Sequence, residues 1–217
     1  MRGLLLTLEG IEGSGKSTQA ANLVQELKTA GVPVVATREP GGVVLGEKIR
    51  EILLSPDSGP IQPATELLLF IAARAQHVAE KIRPALESGQ VVVCDRFADA
   101  TVAYQGGGRA APEDLLERLN HFSTGGIRPD RTYLLDVDVR TGFDRAAKRR
   151  AAAGPDRIER EGTEFFEAVR RRYLALAAAD PERILLLRGT DPIQDLTRRI
   201  VEDALSLVRS RALIQPR

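Results

Sequence analysis

Gly10-Ile11-Glu12-Gly13-Ser14-Gly15-Lys16-Ser17 fits the pattern G-x-x-x-x-G-K-[ST], the sequence of a phosphate-binding loop. The apolar run Leu4–Leu8 directly before it is typical of a short buried strand. Directly after it, residues 18–30 carry apolar side chains at helical spacing. A strand, a glycine loop and a helix in this order are the context in which such a loop binds nucleotide phosphates. The competing interpretation is a glycine-rich turn that binds nothing.

The residue types of this loop suit phosphate binding. Glycines let successive backbone N–H groups turn towards phosphate oxygens, and the N-terminus of the following helix adds positive potential. Lys16 is placed to reach the β- and γ-phosphates, and the hydroxyl of Ser17 is placed to ligate Mg²⁺. We therefore predict that residues 10–17, together with Thr18, bind ATP.

The composition argues against several classes of protein. Among 217 residues there are 31 Lys and Arg against 30 Asp and Glu, and the net charge of +1 gives no bulk attraction to nucleic acid or to an anionic membrane. No apolar stretch is long enough to span a bilayer, and the N-terminus lacks a signal-peptide pattern. The single cysteine, Cys94, cannot form an intramolecular disulfide, which fits a cytoplasmic protein. We expect one domain over residues 1–217.

Apolar runs alternate with helical patterns along the chain. The strand candidates are Leu4–Leu8, Pro33–Thr37, Val91–Cys94, Thr132–Val137 and Ile184–Leu187. The helix candidates are Lys16–Ala30, Val44–Leu54, Ala64–Leu86, Pro112–Phe122, Arg140–Arg150, Thr163–Ala179 and Pro192–Arg209. Pro84 is expected to kink or end the third helix. This alternation predicts an α/β fold of the P-loop NTPase type, with a five-stranded parallel sheet flanked by helices on both faces.

Charged residues follow two of the predicted strands. Arg38 lies in the segment TREPGG after the second strand, where an open α/β sheet places its ligands, although this segment alone is more often an ordinary turn. Asp95 and Arg96 follow the third strand. Asp95 is a candidate Mg²⁺ ligand, directly or through water, and Arg96 a candidate phosphate clamp. The alternative is a surface pair that caps a helix.

Two further groups of residues carry candidate functions. Phe70 and Arg74 are four residues apart on one helix face, which suits stacking on a base and bonding to its edge. The residues alone favour a simpler interpretation, with Phe70 in the core and Arg74 in solvent. A basic cluster next to Gly154-Pro155 is either a lid over about residues 145–160 or a solvated helix face; it consists of Arg145, Lys148, Arg149, Arg150 and Arg157.

Other kinds of chemistry find little support in the sequence. His77 and His121 are isolated, and each is interpreted as hydrogen-bonded or solvent-exposed rather than catalytic. There is no Cys/His metal-binding set and no G-x-S-x-G elbow.

Together these motifs resemble the thymidylate kinase family of the bacterial type, over nearly the whole chain. The segments that carry the resemblance are LEGIEGSGKSTQ, TREPGG, LLFIAARAQH, DRFADATVAYQGGGR, DRIE and FFEAVRRRYLALA. The resemblance implies a nucleoside monophosphate kinase that phosphorylates dTMP to dTDP with ATP and Mg²⁺. It also implies a homodimer packed through helices, with Ala64–Leu86 as the candidate contributor. The alternatives are a P-loop kinase for another nucleotide or a nucleoside, and a non-catalytic nucleotide-binding protein.

The resemblance also implies roles for individual residues. Phe70 would stack on thymine, Arg74 would bond its edge, and Thr101 and Gln105 would line the base pocket. Arg38 and Arg96 would grip the acceptor phosphate. Glu12 would reach the sugar 3′-hydroxyl, Tyr104 would occupy the space of a 2′-hydroxyl, and Glu159 would support Tyr104.

Some members of this family carry a catalytic arginine within the phosphate loop. The equivalent position here is Gly13, so the resemblance implies that the lid supplies this charge through Arg149 or Arg150 beside the catalytic Lys16 and Arg96. The chain also departs from the family pattern near the acceptor site. The usual Asp-Arg-Tyr ends in Phe97, and Ala100 replaces a frequent serine.

Overall fold

Five parallel strands form one sheet in the computed structural model, which describes residues 2–150 and 154–211, apart from the side chains of Arg149 and Arg150. The strands are β1 (Leu5–Glu9), β2 (Val34–Arg38), β3 (Val91–Asp95), β4 (Arg131–Asp136) and β5 (Ile184–Arg188). Their order in the sheet is β2-β3-β1-β4-β5. The predicted five-stranded parallel sheet is therefore confirmed, and β1 lies at its centre.

Helices connect the strands. They are α1 (Lys16–Thr29), α2 (Val44–Leu54), α3 (Pro63–His77), α4 (Arg83–Glu87), α5 (Ala98–Thr101), α6 (Glu113–Thr124), α7 (Val139–Arg150), α8 (Thr163–Ala179) and α9 (Ile193–Ser210). Two π-helical segments extend them: Val78–Ile82 joins α3 to α4, and Val102–Gly108 continues α5. A short 3₁₀ turn, Pro56–Ser58, lies in the loop after α2.

Two elements differ from the predicted pattern. The long third helix does not end at Pro84; it continues through a π-helical segment into α4, whose first turn holds this proline. Inside a continuous helix a proline removes one backbone hydrogen bond and crowds the preceding turn, and the π-helical segment directly before Pro84 is the local departure from α-helical geometry that accompanies it. The helical segment 98–108 has no counterpart among the predicted helices, since Gly106-Gly107-Gly108 conceals it.

Alternate residues of the central strand enter opposite layers of the core. Leu6 and Leu8 pack with the apolar residues of α1 and α9 on one face of the sheet. Leu5 faces the other layer, where it packs with the helical segment that runs from α3 into α4. Burying each of these leucines completely contributes about 2 kcal/mol. Because all strands are parallel, the carboxyl ends of β1, β2 and β3 meet at one edge, where the predicted phosphate loop and strand-end charges lie.

Candidate functional site

The predicted phosphate loop joins β1 to α1. Gly10, Gly13 and Gly15 have positive φ angles of 137°, 71° and 102°, which residues with side chains rarely adopt. The loop thus curls back and brings Lys16, the first residue of α1, over its own backbone. There the Nζ atom of Lys16 donates a hydrogen bond to the carbonyl oxygen of Ile11 at 2.7 Å.

Lys16 is an unusual lysine because it is almost completely buried. Burial lowers the pKa of its amine to about 8, the nearby positive charge of Arg96 acts in the same direction, and Glu12 opposes both. At neutral pH the amine therefore keeps its proton in most molecules, and it carries its charge with little water around it. A charge held in this way interacts strongly with an anion that enters the loop.

A hydroxyl and a carboxylate lie side by side next to the loop. The Oγ atom of Ser17 donates to Oδ2 of Asp95 at 2.6 Å, and Asp95 is the last residue of β3. Mg²⁺ prefers hard oxygen ligands, and it commonly takes one or two from the protein and the rest from water and phosphates. The pair fits this ion. No group of three or more His, Cys, Asp or Glu that could form an all-protein metal cage occurs within the residues that the structure describes.

Arg96 links the phosphate loop to the neighbouring pocket. Its Nη1 atom donates to the carbonyl oxygen of Gly10 at 3.0 Å, and its Nη2 atom donates to Glu12 at 2.6 Å and to the Tyr104 hydroxyl at 3.0 Å. The residue has a φ angle of 71°, a left-handed conformation that is unfavourable for arginine. Burial opposes its charge, yet Glu12 and the other groups around it hold the pKa of Arg96 above its ordinary value. The guanidinium is therefore a fixed positive charge.

A buried glutamate that was not among the predicted site residues contacts the residue after this arginine. Glu9, the last residue of β1, accepts hydrogen bonds of 2.7 Å from the backbone N–H of Phe97 and from the hydroxyl of Tyr173. Burial is the main reason why the pKa of Glu9 rises to about 7, and the charge of Asp99 adds to this shift. Through its hydrogen bond to the N–H of Phe97, Glu9 thus fixes the backbone directly after Arg96.

A pocket opens against Arg96, and Glu12 of the phosphate loop forms part of its wall. Seven of the predicted site residues line the pocket: Glu12, Phe70, Arg74, Arg96, Thr101, Tyr104 and Gln105. Phe97 and Ala100, the two positions that depart from the family pattern, line it as well. Segments that are remote in the sequence therefore meet around one space.

Within the pocket, Tyr104 and Glu12 are directly paired. The hydroxyl of Tyr104 donates to Oε2 of Glu12 at 2.5 Å. The tyrosine ring packs edge-on against Phe165 and Phe166, so it belongs both to the pocket wall and to the core. Burial works against the charge of Glu12, but Arg96 and Lys16 keep its pKa below the ordinary value. Glu12 is thus an ionised acceptor at the junction between loop and pocket.

Two predicted residues lie outside the pocket lining. Arg38 is more than half exposed and pairs with Glu47 at 2.9 Å, in a neighbouring groove that Ser17 and Asp95 also line. Glu159, the predicted support of Tyr104, accepts a hydrogen bond from the backbone N–H of Asp156. The hydroxyl of Tyr104 donates to Glu12. The side chains of the predicted catalytic pair, Arg149 and Arg150, fall outside the described residues.

Arg50 and Glu39 line the pocket although neither was among the predicted site residues. Arg50, on α2, donates to the carbonyl oxygen of Pro40 at 3.0 Å. Burial, followed by the charge of Arg38, lowers the pKa of its guanidinium, which nevertheless stays charged at neutral pH. Arg50 therefore adds a further positive charge to the pocket.

Glu66 is a buried hub that ties the predicted lid to the pocket wall. It accepts hydrogen bonds from Gln105 and from Arg109 at 3.2 Å, and it also pairs with Arg157. Arg157 donates as well to the carbonyl oxygen of Leu53 at 2.8 Å. The C-terminal part of the predicted lid is thus fastened to α2 and α3.

These features define a class of protein. A glycine loop that leads from the central strand into a helix, with a buried lysine, a hydroxyl and a carboxylate around it, is the site of P-loop nucleoside-triphosphate enzymes. The adjacent pocket, joined to the loop by Arg96, is typical of enzymes in this class that transfer a phosphoryl group to a small acceptor.

Comparison with known proteins identifies the family. A family model described as thymidylate kinase matches residues 8–200. A thymidylate kinase of Pseudomonas savastanoi pv. phaseolicola is 52% identical over 196 residues, 90% of this chain and 92% of the relative. One of Pelobacter propionicus is 48% identical over 206 residues, 94% of each chain. The crystal structure of a thymidylate kinase from Ehrlichia chaffeensis is 31% identical with a TM-score of 0.76, and the match covers 94% of this chain and 100% of that one. The chain belongs to the thymidylate kinase family.

Within the residues that the structure describes, none of the helices combines the length and the apolar character that are needed to cross a bilayer.

Proposed function

We propose that the protein transfers the γ-phosphoryl group of ATP to the 5′-phosphate of dTMP, giving dTDP and ADP in the synthesis of dTTP. The observation that carries this proposal is the position of Arg96, which bonds to the phosphate loop at Gly10 and to the pocket at Tyr104. A donor phosphate in the loop and an acceptor phosphate in the pocket would meet at this guanidinium. Membership of the thymidylate kinase family supports the choice of substrate.

The donor side of the reaction uses the phosphate loop. Residues 10–18 would bind the triphosphate through backbone N–H groups, and Lys16 would leave its contact with Ile11 to neutralise the β- and γ-phosphates. Ser17 and Asp95 would hold Mg²⁺, directly or through water. Bound there, Mg²⁺ would supply positive charge to the β- and γ-phosphate oxygens.

The acceptor side uses the pocket. Arg96 would bind the 5′-phosphate, and Arg50, which also lines the pocket, would add positive charge. Arg38 stays a predicted phosphate contact; reaching the acceptor would require it to leave Glu47, which costs little because that ion pair is exposed.

The base and the sugar would be recognised by separate groups. Phe70 would stack on thymine, and Arg74, Thr101 and Gln105 would contact its edge. Glu12 would accept a hydrogen bond from the 3′-hydroxyl, and Tyr104 would occupy the space that a 2′-hydroxyl needs. Glu159 remains a predicted support for this wall.

The chemical step would be an in-line displacement. An oxygen of the acceptor phosphate attacks the γ-phosphorus while the bond to the β,γ-bridging oxygen breaks, and ADP leaves with the electron pair. The acceptor oxygen is already anionic, so positioning and charge neutralisation do most of the work. Lys16 and Arg96 would supply charge from the body of the protein, and Arg149 and Arg150 from a lid over about residues 145–160, within a single domain.

Release of ADP, followed with a coupled assay, tests this function. The acceptors are dTMP, dUMP, dCMP, dGMP and UMP, each at equal concentration. We expect dTMP to react fastest and UMP much more slowly, with dUMP between the two because it lacks only one methyl group. A methyl group in an apolar pocket contributes about 1–3 kcal/mol. A preference for a purine monophosphate would contradict the assignment, and no turnover with any acceptor would contradict catalysis.

The proposal includes a homodimer. Leu45, Leu68 and Phe122 on α2, α3 and α6 expose large apolar surfaces, with 79% of Phe122 accessible to solvent. These three helices are neighbours, since α3 contacts both α2 and α6. Covering such a surface with a second copy would remove it from water. Analytical ultracentrifugation at micromolar concentration should give a dimer, and a monomer at high concentration would contradict it.

The proposal also places the protein in the cytoplasm. The free thiol of Cys94 is buried against the backbone of Arg96, so the fold uses this residue as a reduced side chain. The two substrates, ATP and dTMP, are cytoplasmic metabolites. Detection of the protein in a secreted fraction of its host would contradict this location.

A further inference from the structure

A chain of buried polar side chains runs from the end of β2 to the pocket. Oγ1 of Thr37 lies 2.7 Å from Nε2 of His77, and Nδ1 of His77 lies 3.0 Å from Oε1 of Glu39. The other carboxylate oxygen of Glu39 accepts a 2.7 Å hydrogen bond from Nε of Arg74. His77 is completely inaccessible to solvent, and Glu39 and Arg74 are almost so. The proposed function leaves Thr37, His77 and Glu39 without a role.

The partners determine where the imidazole carries its proton. A carboxylate only accepts hydrogen bonds, so Nδ1 of His77 must donate to Glu39. If Nδ1 had no hydrogen, two lone pairs would face each other in a buried site, at a cost of about 1–3 kcal/mol. In a neutral ring Nε2 is then the acceptor, and the hydroxyl of Thr37 donates to it. The hydrogen bonds thus run in one direction from Thr37 to Glu39.

This arrangement orients the guanidinium of Arg74. On the side away from Glu39, Nη1 donates to Thr101 at 2.9 Å and to Asn120 at 2.7 Å. Nη2 donates to the carbonyl oxygen of Phe97 at 3.0 Å. Protein partners in the described chain therefore take four of its five N–H donors. The second N–H of Nη2 remains, and Arg74 lines the pocket one helical turn after Phe70.

The loop that follows β2 closes over this network. A Cβ atom on Gly42 would come within 2.5 Å of both Nε2 of His77 and Oγ1 of Thr37. Only a residue without a side chain can pass there unless the pair shifts. The close backbone keeps water away from the imidazole, which leaves Thr37 and Glu39 as its hydrogen-bonding partners.

We propose that Thr37, His77 and Glu39 are positioning residues that set base specificity by aiming the remaining N–H of Arg74 into the pocket. This inference rests on the proposed function. Thymine presents the carbonyl acceptor O4 where cytosine presents an amino donor. A donor held in one direction favours thymine, whereas a guanidinium that can turn would discriminate less between the two pyrimidines. The network would therefore control the choice between dTMP and dCMP, and leave ATP binding unaffected.

Thr37→Val and Thr37→Ser form a matched pair for the test. Valine keeps the shape and removes the hydroxyl, while serine keeps the hydroxyl. We expect Thr37→Val to lower the ratio of kcat/KM for dTMP over dCMP about five- to tenfold, mainly through a higher KM for dTMP, the size expected for one buried hydrogen bond. Thr37→Ser should restore the ratio, and the KM for ATP should not change. Thr29→Val, on the surface of α1, controls for the substitution type.

An unchanged ratio in Thr37→Val, or the same loss in Thr37→Ser, would overturn the positioning role. Absence of dTMP phosphorylation by the wild type would instead overturn the proposed function. A measurement that needs no enzymatic activity tests the positioning role separately from the proposed function. The chain has two histidines, so ¹⁵N NMR of the His121→Gln variant reports on His77 alone. We expect the signature of an imidazole with a protonated Nδ1, and a ring protonated only at Nε2 would overturn the inference.

Discussion

Replacing Glu9 by glutamine should make the protein progressively more stable than the wild type as the pH rises. The pKa of Glu9 is raised from 4.5 to about 7 in the folded protein, mainly by burial. The folded state therefore binds the proton more tightly than the unfolded chain. As the pH rises from the unfolded to the folded pKa, the wild type loses stability, because ionising this carboxyl is harder in the folded protein.

The expected magnitude follows from these two pKa values. At about 1.4 kcal/mol per pH unit, the difference between 4.5 and about 7 corresponds to roughly 3 kcal/mol of the free energy of unfolding. Of this, about 2.5 kcal/mol is lost between pH 5 and pH 8. Glutamine is nearly isosteric and cannot ionise. Its carbonyl oxygen can accept from the N–H of Phe97, and its amide can donate to Tyr173, so both hydrogen bonds of Glu9 have a replacement.

Urea denaturation at several pH values between 5 and 8 measures this effect. Relative to the wild type, the midpoint of Glu9→Gln should rise by about 1 M urea across this range. The exposed Glu26→Gln on α1 controls for the loss of a carboxylate. Parallel curves for the wild type and Glu9→Gln would show that Glu9 ionises in the folded protein as easily as in water, and would refute the reasoning from burial.

Three other variants address the proposed reaction. Lys16→Ala should abolish ADP release in a folded protein, because a lost transition-state contact of this kind costs about 3 kcal/mol or more. The control Lys28→Ala, at an exposed position on the same helix, should keep its activity. Wild-type turnover by Lys16→Ala would contradict phosphoryl transfer at this loop. Arg149→Ala combined with Arg150→Ala should lower kcat far more than it raises the KM for dTMP, and a change in KM alone would make the cluster a binding surface. Tyr104→Phe keeps the ring in the core and should reduce the difference in phosphorylation rate between dUMP and UMP. The preference for thymine over uracil should be preserved. Loss of this base preference would show that Tyr104 has another role.

The strands were predictable because each is a short apolar run between polar segments. The sequence placed the first strand at Leu4–Leu8, and it spans Leu5–Glu9. The segment 98–108 was missed for a physical reason. A Cβ atom on Gly107 would lie 2.8 Å from a carbonyl oxygen of α8, and one on Gly108 would overlap the ring of Phe165. These glycines let α8 approach closely, whereas a pattern-based rule interprets them as helix breakers.

The candidate site was predictable where its residues are contiguous in the sequence, as in the loop 10–17 and at Asp95-Arg96. Buried carboxylates such as Glu9 were not, because their partners lie far along the chain: Tyr173, which donates to Glu9, is 164 residues away. One signal was present in the sequence. Glu66, Phe70, Arg74 and His77 follow each other at intervals of four, four and three residues, which places them on one helix face. The orientation of Arg38 depends on its pairing with Glu47, which spacing does not predict.

The packing around Gly13 bears on how enzymes of this kind can diverge. A Cβ atom at this position would overlap the backbone carbonyl of Gly142 at the start of α7, and one on Gly142 would lie 2.6 Å from the carbonyl oxygen of Glu12. An arginine at position 13 would therefore need α7 to move, and with it the predicted lid over about residues 145–160. Replacing Gly13 alone by arginine should destabilise this protein. The loop and the first turn of α7 should change together, and a chimaera that receives only the loop should fold poorly.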